Sequence, residues 1–155
     1  MRTFYKNIAL LVSTFLLTAV AMTACQSGAD DADALKSEVI KVHDRIMPRN
    51  AELLQVKADL TGLIAGLDSL KQHNPEADTA RIRREADSLI AALDAADLAM
   101  SEWMHEFRTD YSEMEHEQVM DYLNGEKARI AQVEQAYEES IGGARALMDS
   151  LGEQN

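Results

Sequence analysis

The sequence is poor in the residues that form disulfides, build sheets or attract polyanions. Cys25 is its only cysteine, which excludes an intramolecular disulfide and a paired-thiol redox or zinc motif. Aromatic residues make up 5% of the chain and no β-branched alternation follows residue 34, which argues against a β-sheet fold. Acidic residues outnumber basic ones by 27 to 15, and the net charge of −12 excludes electrostatic binding of nucleic acid.

The one long apolar run stands at the N-terminus. Arg2 and Lys6 precede it without an acidic residue, and residues 8–22 form it. At about 15 residues it is shorter than the ~20 that span a bilayer. Small residues then lead to Cys25. This order is that of a secretory signal peptide, which we predict at residues 1–24.

Cys25 stands where the cleaved chain would begin. With the preceding Met22, Thr23 and Ala24 it resembles the lipobox of bacterial lipoproteins, although that family usually has leucine where this chain has Met22. The resemblance implies lipidation of Cys25, and its acyl chains would anchor the protein stably in a membrane. Ordinary cleavage would instead leave a free thiol without a partner cysteine.

The residues after Cys25 bear on localisation. We predict an acidic flexible tether at residues 25–34, because it is rich in aspartate. Gln26, in place of aspartate, implies export to the outer membrane by its resemblance to Gram-negative lipoproteins. The cluster at Asp30, Asp31 and Asp33 resembles the surface-export signals of some Bacteroidota lipoproteins. A solvated spacer would have the same composition, and both interpretations stay open.

Three apolar stripes at helical spacing follow the tether. Their members recur in steps of three and four residues, which is the seam of packed helices. The first runs from Val39 to Leu70, the second from Ile82 to Phe107, and the third from Val119 to Leu151. The sequence therefore predicts an all-α fold, an elongated antiparallel three-helix bundle with coiled-coil-like packing. A single hairpin that dimerises through its seam remains the alternative, so the oligomeric state stays open.

The breaks between the stripes set the predicted boundaries within a helical domain at residues 35–151. The helices are expected at about 35–72, with a kink at Pro48, then at 75–107 and at 113–151. Asn74 and Pro75 have the pattern of an N-cap followed by proline at the first helical position. Ser112 and Glu115 have the spacing of a capping box that opens the third helix.

Methionine and histidine gather at the predicted end near the tether. With tight turns between the helices, His43 and Met47 would lie level with Met104 and Met100, and His116 and Met120 would join them. Thioether and imidazole ligands together suit Cu(I), so these six residues are candidate soft-metal ligands. Methionine also fills irregular cores, and packing around Pro48 explains the same residues. No metal or cofactor is assigned on this basis.

The motifs of common enzymes are missing from the sequence. No glycine-rich phosphate loop or Gly-x-Ser-x-Gly elbow occurs, and neither His105-Glu106 nor His116-Glu117 continues into a zinc-protease motif. The many carboxylates recur at spacings typical of solvated helix faces. We therefore expect no enzymatic activity.

Three stretches carry a resemblance to a known group. Residues 42–48 (VHDRIMP), 96–104 (ADLAMSEWM) around Met100, and 122–130 (YLNGEKARI) resemble small Bacteroidota lipoproteins without established activity, some of which are labelled "viral A-type inclusion protein". Arg45 departs from the acidic residue expected there. The resemblance implies a lipid-anchored helical domain of the cell envelope. The expected role is structural or protein-interacting, with an envelope protein as partner; soft-metal binding is the alternative.

Overall fold

The computed structural model describes residues 23–152, with side chains from residue 29 onward, and its regular structure is helical. The helices are α1 (Thr23–Ile46), α2 (Asn50–His73), α3 (Thr79–Glu106) and α4 (His116–Gly152), with a 3-10 turn at Met47–Arg49 between α1 and α2. No strand occurs within residues 23–152. The predicted all-α class is confirmed. Residues 1–22, and with them most of the predicted signal peptide, lie outside the described residues, as does the side chain of Cys25.

Pro48 divides the first long helix without ending it. Ile46, Arg49 and Asn50 keep right-handed helical backbone angles on either side of it. The apolar seam continues from Ile46 to Leu53, and both are almost fully buried. Because proline lacks an N–H and its ring crowds the preceding turn, the helix tightens locally into a 3-10 turn. At the position of the predicted kink, Pro48 therefore changes the helix type over one turn.

Ion pairs show how α4 lies against its neighbours. Lys127 Nζ donates to Glu38 Oε2 at 2.5 Å, and Arg45 Nε donates to Glu134 Oε1 at 3.0 Å. Both pairs join residues 89 positions apart, so α1 and α4 run in the same direction. The core between the helices consists mainly of leucine, isoleucine, valine and alanine, as the stripes predict.

α3 runs opposite to the helix on each side of it. On one side, Lys57 pairs with Asp94, and Arg83 Nη2 approaches the carbonyl oxygen of Ile64 at 3.5 Å. On the other side, Arg129 Nη2 donates to Glu106 Oε2 at 2.6 Å. The helices thus pack together as a bundle in which sequence neighbours meet through short or medium connections.

The predicted start of the second long helix at Pro75 is wrong. Asn74 is the C-cap of α2, and its Oδ1 accepts a hydrogen bond from the N–H of Glu76 at 3.2 Å. Asp78 is the true N-cap, since its Oδ1 accepts from the N–H of Arg81 at 3.0 Å. An asparagine side chain before proline can accept a hydrogen bond either in a turn or as a helix N-cap, and here Asn74 accepts one within the turn.

The predicted capping box at Ser112 and Glu115 is also displaced. The N–H of Glu115 donates to Gln118 Oε1 at 2.9 Å, and the carbonyl of Glu115 accepts from Val119 at 3.0 Å. Glu115 therefore occupies the capping position, three residues after the one predicted, and Gln118 supplies the reciprocal side chain. Asp110 Oδ1 accepts from the N–H of Ser112 at 3.0 Å, which keeps Ser112 in the connector.

The first helix starts earlier than predicted. α1 begins at Thr23, so the residues predicted as a flexible tether, 25–34, are helical. Alternating alanine and aspartate without proline favours a helix over a coil, because alanine has the highest helix propensity. Within residues 23–152, none of the helices combines the length and apolar character needed to cross a bilayer.

Candidate functional site

The connector between α3 and α4, residues 107–115, runs along the bundle instead of turning tightly. Because Arg129 pairs with Glu106 at the end of α3, the first residues of α4 extend past α3 by about 20 Å. The connector covers this extension, and Lys36 Nζ of α1 donates to the carbonyl of Thr109 at 3.1 Å. The connector thus takes the place that a longer α3 would occupy beside α1 and α4.

Aromatic rings attach the connector to the helices. We call the following five residues the aromatic cluster: His43, Trp103, Phe107, Tyr111 and Tyr122. Ring centroids lie 5.6 Å apart for His43 and Trp103, and 4.8 Å apart for Trp103 and Phe107. Tyr122 follows at 6.3 Å from Phe107, and Tyr111 at 5.8 Å from Tyr122. Rings of this size fill the wider space left where only two helices remain.

Both tyrosine hydroxyls of the aromatic cluster bind the backbone of one residue. Tyr111 donates to the carbonyl of Arg108 at 2.6 Å, and Tyr122 accepts from the N–H of Arg108 at 2.7 Å. Burial raises the pKa of Tyr111, with smaller contributions from Tyr122 and the carboxylate of Glu126. Burial likewise raises the pKa of Tyr122. The hydroxyls therefore stay protonated at neutral pH and serve to hold the connector.

Lys36 adds a cationic contact to the aromatic cluster. Its Nζ lies 5.2 Å from the centroid of the Tyr111 ring while it donates to the carbonyl of Thr109. A cation over a ring contributes about 0.5–1 kcal/mol at an exposed site. Lys36 thereby fixes the connector to α1, whereas Tyr122 fixes it to α4.

Glu126 is a buried carboxylate beside the aromatic cluster that sequence reasoning missed. It is 5% exposed, Oε1 accepts from Arg129 Nη1 at 3.0 Å, and Oε2 has no partner among the described residues. Hydrogen bonding to Glu106, followed by that to Glu126, raises the pKa of Arg129. One sequence signal marked it: Glu126 lies at helical spacing between the apolar positions Leu123 and Ile130.

Four of the six predicted soft-metal ligands lie at one level, with unlike exposures. His43 packs against Trp103 and its Nδ1 bonds with Asp44 Oδ1 at 3.0 Å. Met47 is half-buried in the 3-10 turn. Met100 is 2% exposed in the core, whereas Met104 is 44% exposed, so these two thioethers do not face a common point.

The other two predicted ligands lie far from these four. His116 is the first residue of α4, and it precedes Arg129, which lies level with Glu106, by about 20 Å along the helix. Met120 lies one helical turn closer to Arg129 than His116 does. The prediction that His116 and Met120 lie level with Met104 and Met100 is wrong, because the connector is long and extended. Among the described residues, no group of three or more histidine, cysteine, aspartate or glutamate side chains could hold a metal.

The face formed by α2 and α3 carries exposed leucines. Leu54 is 53% exposed and Leu98 is 58% exposed. Leu54 stands one turn before Lys57, and Leu98 one turn after Asp94, which is the ion-pair partner of Lys57. Because α2 and α3 run in opposite directions, both leucines lie on the same side of this pair along the bundle. We call these four residues the leucine face.

Comparison with known proteins identifies no relative. The chain matches no protein-family model, no curated protein and no solved structure.

Proposed function

We propose that this protein is a lipid-anchored helical protein of the cell envelope that binds a partner protein. In this proposal the helices form an elongated antiparallel bundle with coiled-coil-like packing, and Cys25 carries the lipid. The role is structural or protein-interacting rather than enzymatic. The observation that carries the interaction role is the leucine face, because large exposed apolar side chains grouped on one surface are typical of binding sites.

The order of charged, apolar and small residues before Cys25 supports the lipid anchor. Gln26 after the cysteine favours the outer membrane, and the nearby aspartates favour export to the cell surface. A strongly acidic bundle would be repelled by anionic lipid head groups, so the anchor rather than the bundle would hold the protein at the membrane.

Lipidation is tested in cells grown with a clickable fatty acid. The wild-type protein is expected to incorporate the label and to sediment with membranes. A Cys25→Ala variant should lose the label and accumulate as uncleaved precursor. A Gln26→Ala variant serves as a matched control and should keep the label. An unlabelled wild-type protein would refute the anchor.

The leucine face fits a helix of a partner that offers apolar side chains beside charges of both signs. Leucine provides contact area, and the Lys57–Asp94 pair at its edge offers one donor group and one acceptor group. A photo-reactive amino acid at Leu54 or Leu98 should cross-link one defined envelope protein. The same amino acid at Gln135, which lies exposed on α4, is the control and should not.

Charge exchange on the leucine face sharpens the test. Lys57→Glu should abolish cross-linking, whereas Lys57→Glu combined with Asp94→Lys should keep the fold and change partner affinity. Equal cross-linking from Leu54, Leu98 and Gln135 would contradict a specific surface. A product of twice the mass of the protein would identify a second copy of the chain as the partner.

A further inference from the structure

A cavity lies at the end of the bundle that includes the α2–α3 turn, remote from the aromatic cluster. It has a volume of about 230 Å³ and an apolar lining that includes Leu63, Leu67, Leu70, Ile82 and Leu151. Leu151 belongs to the last turn of α4, and the hairpin of α2 and α3 continues beyond it. Leu151 thus forms one side of the cavity where α4 meets the α2–α3 hairpin.

Gly66 leaves the wall of the cavity without a side chain. A Cβ added there would meet no atom within 4 Å, so the space beside this residue is open. An apolar cavity of about 150 Å³ is large enough to bind benzene. The present cavity is about one and a half times that volume. A fused bicyclic compound with nine ring atoms is larger than benzene, which has six, in the same proportion.

The rim of the cavity is polar, and most of its polar groups already have partners within the protein. Arg81 Nη1 donates to both carboxylate oxygens of Glu85 at 2.9 Å. Asp78 Oδ1 caps α3, where the partial positive charge of the helix end stabilises its carboxylate. Asn74 Oδ1 accepts from the N–H of Glu76. Arg81 is therefore paired within its own helix, whereas Asp78 keeps its negative charge at the rim.

One acceptor at the rim remains for a ligand. Asp78 uses only Oδ1 in its hydrogen bonds to described residues, which leaves Oδ2 beside the apolar lining. A single N–H or O–H group on an otherwise apolar molecule would match this arrangement. An anionic ligand would have to break the Arg81–Glu85 pair or oppose the carboxylate of Asp78.

We infer that this cavity is a binding site for a small uncharged aromatic compound of one or two rings that carries one N–H or O–H group, as indole does. The inference goes beyond the proposed function and does not depend on lipidation or on the leucine face. In the proposed complex, the rings of the ligand lie among the leucines and Ile82, and the polar group of the ligand faces Asp78.

The test uses the purified full chain, with a protein-free sample of the same composition to subtract partitioning of the probe. Indole is titrated while the methyl signals of Leu67 and Ile82 are followed by NMR. We expect saturable shifts with a Kd below about 1 mM. Benzoate, which has a similar ring but carries a negative charge, should bind at least tenfold more weakly because it opposes the carboxylate of Asp78.

Two glycines one turn apart provide a matched pair of variants. Gly66→Leu would fill the cavity, and we expect at least a tenfold loss of indole affinity. Gly62→Leu adds the same side chain on the same helix, also into open space, but outside the cavity lining. Its affinity should stay within twofold of wild type, and both variants should melt higher because helical glycine is replaced.

The inference is overturned by three results. They are the absence of saturable shifts, indole binding in Gly66→Leu equal to that in Gly62→Leu, or binding of benzoate as tight as that of indole. If Gly66→Leu does not fold, Gly66→Ala takes its place with an expected loss of about threefold.

Discussion

Gly143 offers the sharpest test of how α3 and α4 meet. A Cβ added at Gly143 would lie 2.7 Å from Cδ2 of Leu89, a distance that real Cβ atoms do not show. A Cβ at the neighbouring Gly142 would meet nothing within 4 Å. The two glycines are adjacent in one helix, so Gly143→Ala and Gly142→Ala differ only in what the new methyl group contacts.

The expected stabilities follow from two opposing contributions. Replacing a helical glycine with alanine stabilises by about 1 kcal/mol, and both variants gain this amount. Overpacking destabilises by about 1–3 kcal/mol, and this contribution applies only to Gly143→Ala. Leu89 is half-buried and can rotate in part, which places the cost near the lower end. We expect Gly142→Ala to gain about 1 kcal/mol and Gly143→Ala to gain nothing or lose up to about 1 kcal/mol.

The free energy of unfolding is measured by urea denaturation, with circular dichroism of the helices as the signal. Equal m-values in the three proteins would show that only stability has changed. If both variants gain stability equally, α3 and α4 are not close at Gly143, and the alignment of these two helices would have to be shifted.

Three further predictions address single residues. Tyr137 is 1% exposed, and burial, with smaller effects from the nearby carboxylate of Asp97, raises its pKa to about 12 from 10.0. The unfolded chain therefore ionises first above pH 10, and wild type should lose up to about 3 kcal/mol between pH 10 and 12 that Tyr137→Phe does not lose, as measured by urea unfolding. Asp78→Ala should destabilise by about 1 kcal/mol because it removes the N-cap of α3, whereas Asn74→Ala should cost less. Cu(I) competition titration should show no one-to-one binding that depends on Met100 and Met104, because one thioether is in the core and the other is exposed.

Each of these predictions has a result that contradicts it. An alkaline transition identical in wild type and Tyr137→Phe would mean that the phenol ionises as freely in the folded protein as in the unfolded chain. A larger loss from Asn74→Ala than from Asp78→Ala would restore Asn74 as the cap. Tight Cu(I) binding that disappears in Met100→Leu/Met104→Leu would make soft-metal binding the leading function.

The helical class and most of the core were predictable from the sequence because apolar spacing depends only on the helical repeat. Leu53, Leu93 and Ile130 appear in the stripes and are fully buried. Helix ends were less predictable, since capping residues also make turns. Asn74 and Ser112 both have that dual use, and local bonds decide between the two.

The candidate sites depended on the alignment of helices, which spacing within one helix does not determine. The connector at residues 107–115 has no apolar stripe, so its extended path shifts α4 by about 20 Å from a tight-turn arrangement. That shift separates His116 and Met120 from the other predicted ligands. In this arrangement Tyr111 and Tyr122 hold the connector through hydrogen bonds to its backbone, which the spacing of residues within one helix could not indicate.

The parallel course of α1 and α4 fixes where each part of the chain stands relative to an anchored end. α1, the 3-10 turn and α2 contain 24, 3 and 24 residues, which corresponds to a rise of about 75 Å. With Cys25 held in a lipid leaflet, the α2–α3 turn could stand about that far from the membrane surface. With the same anchor, a reporter placed in this turn would lie farther from the membrane than one placed in the connector, which packs beside Lys36 near the start of α1.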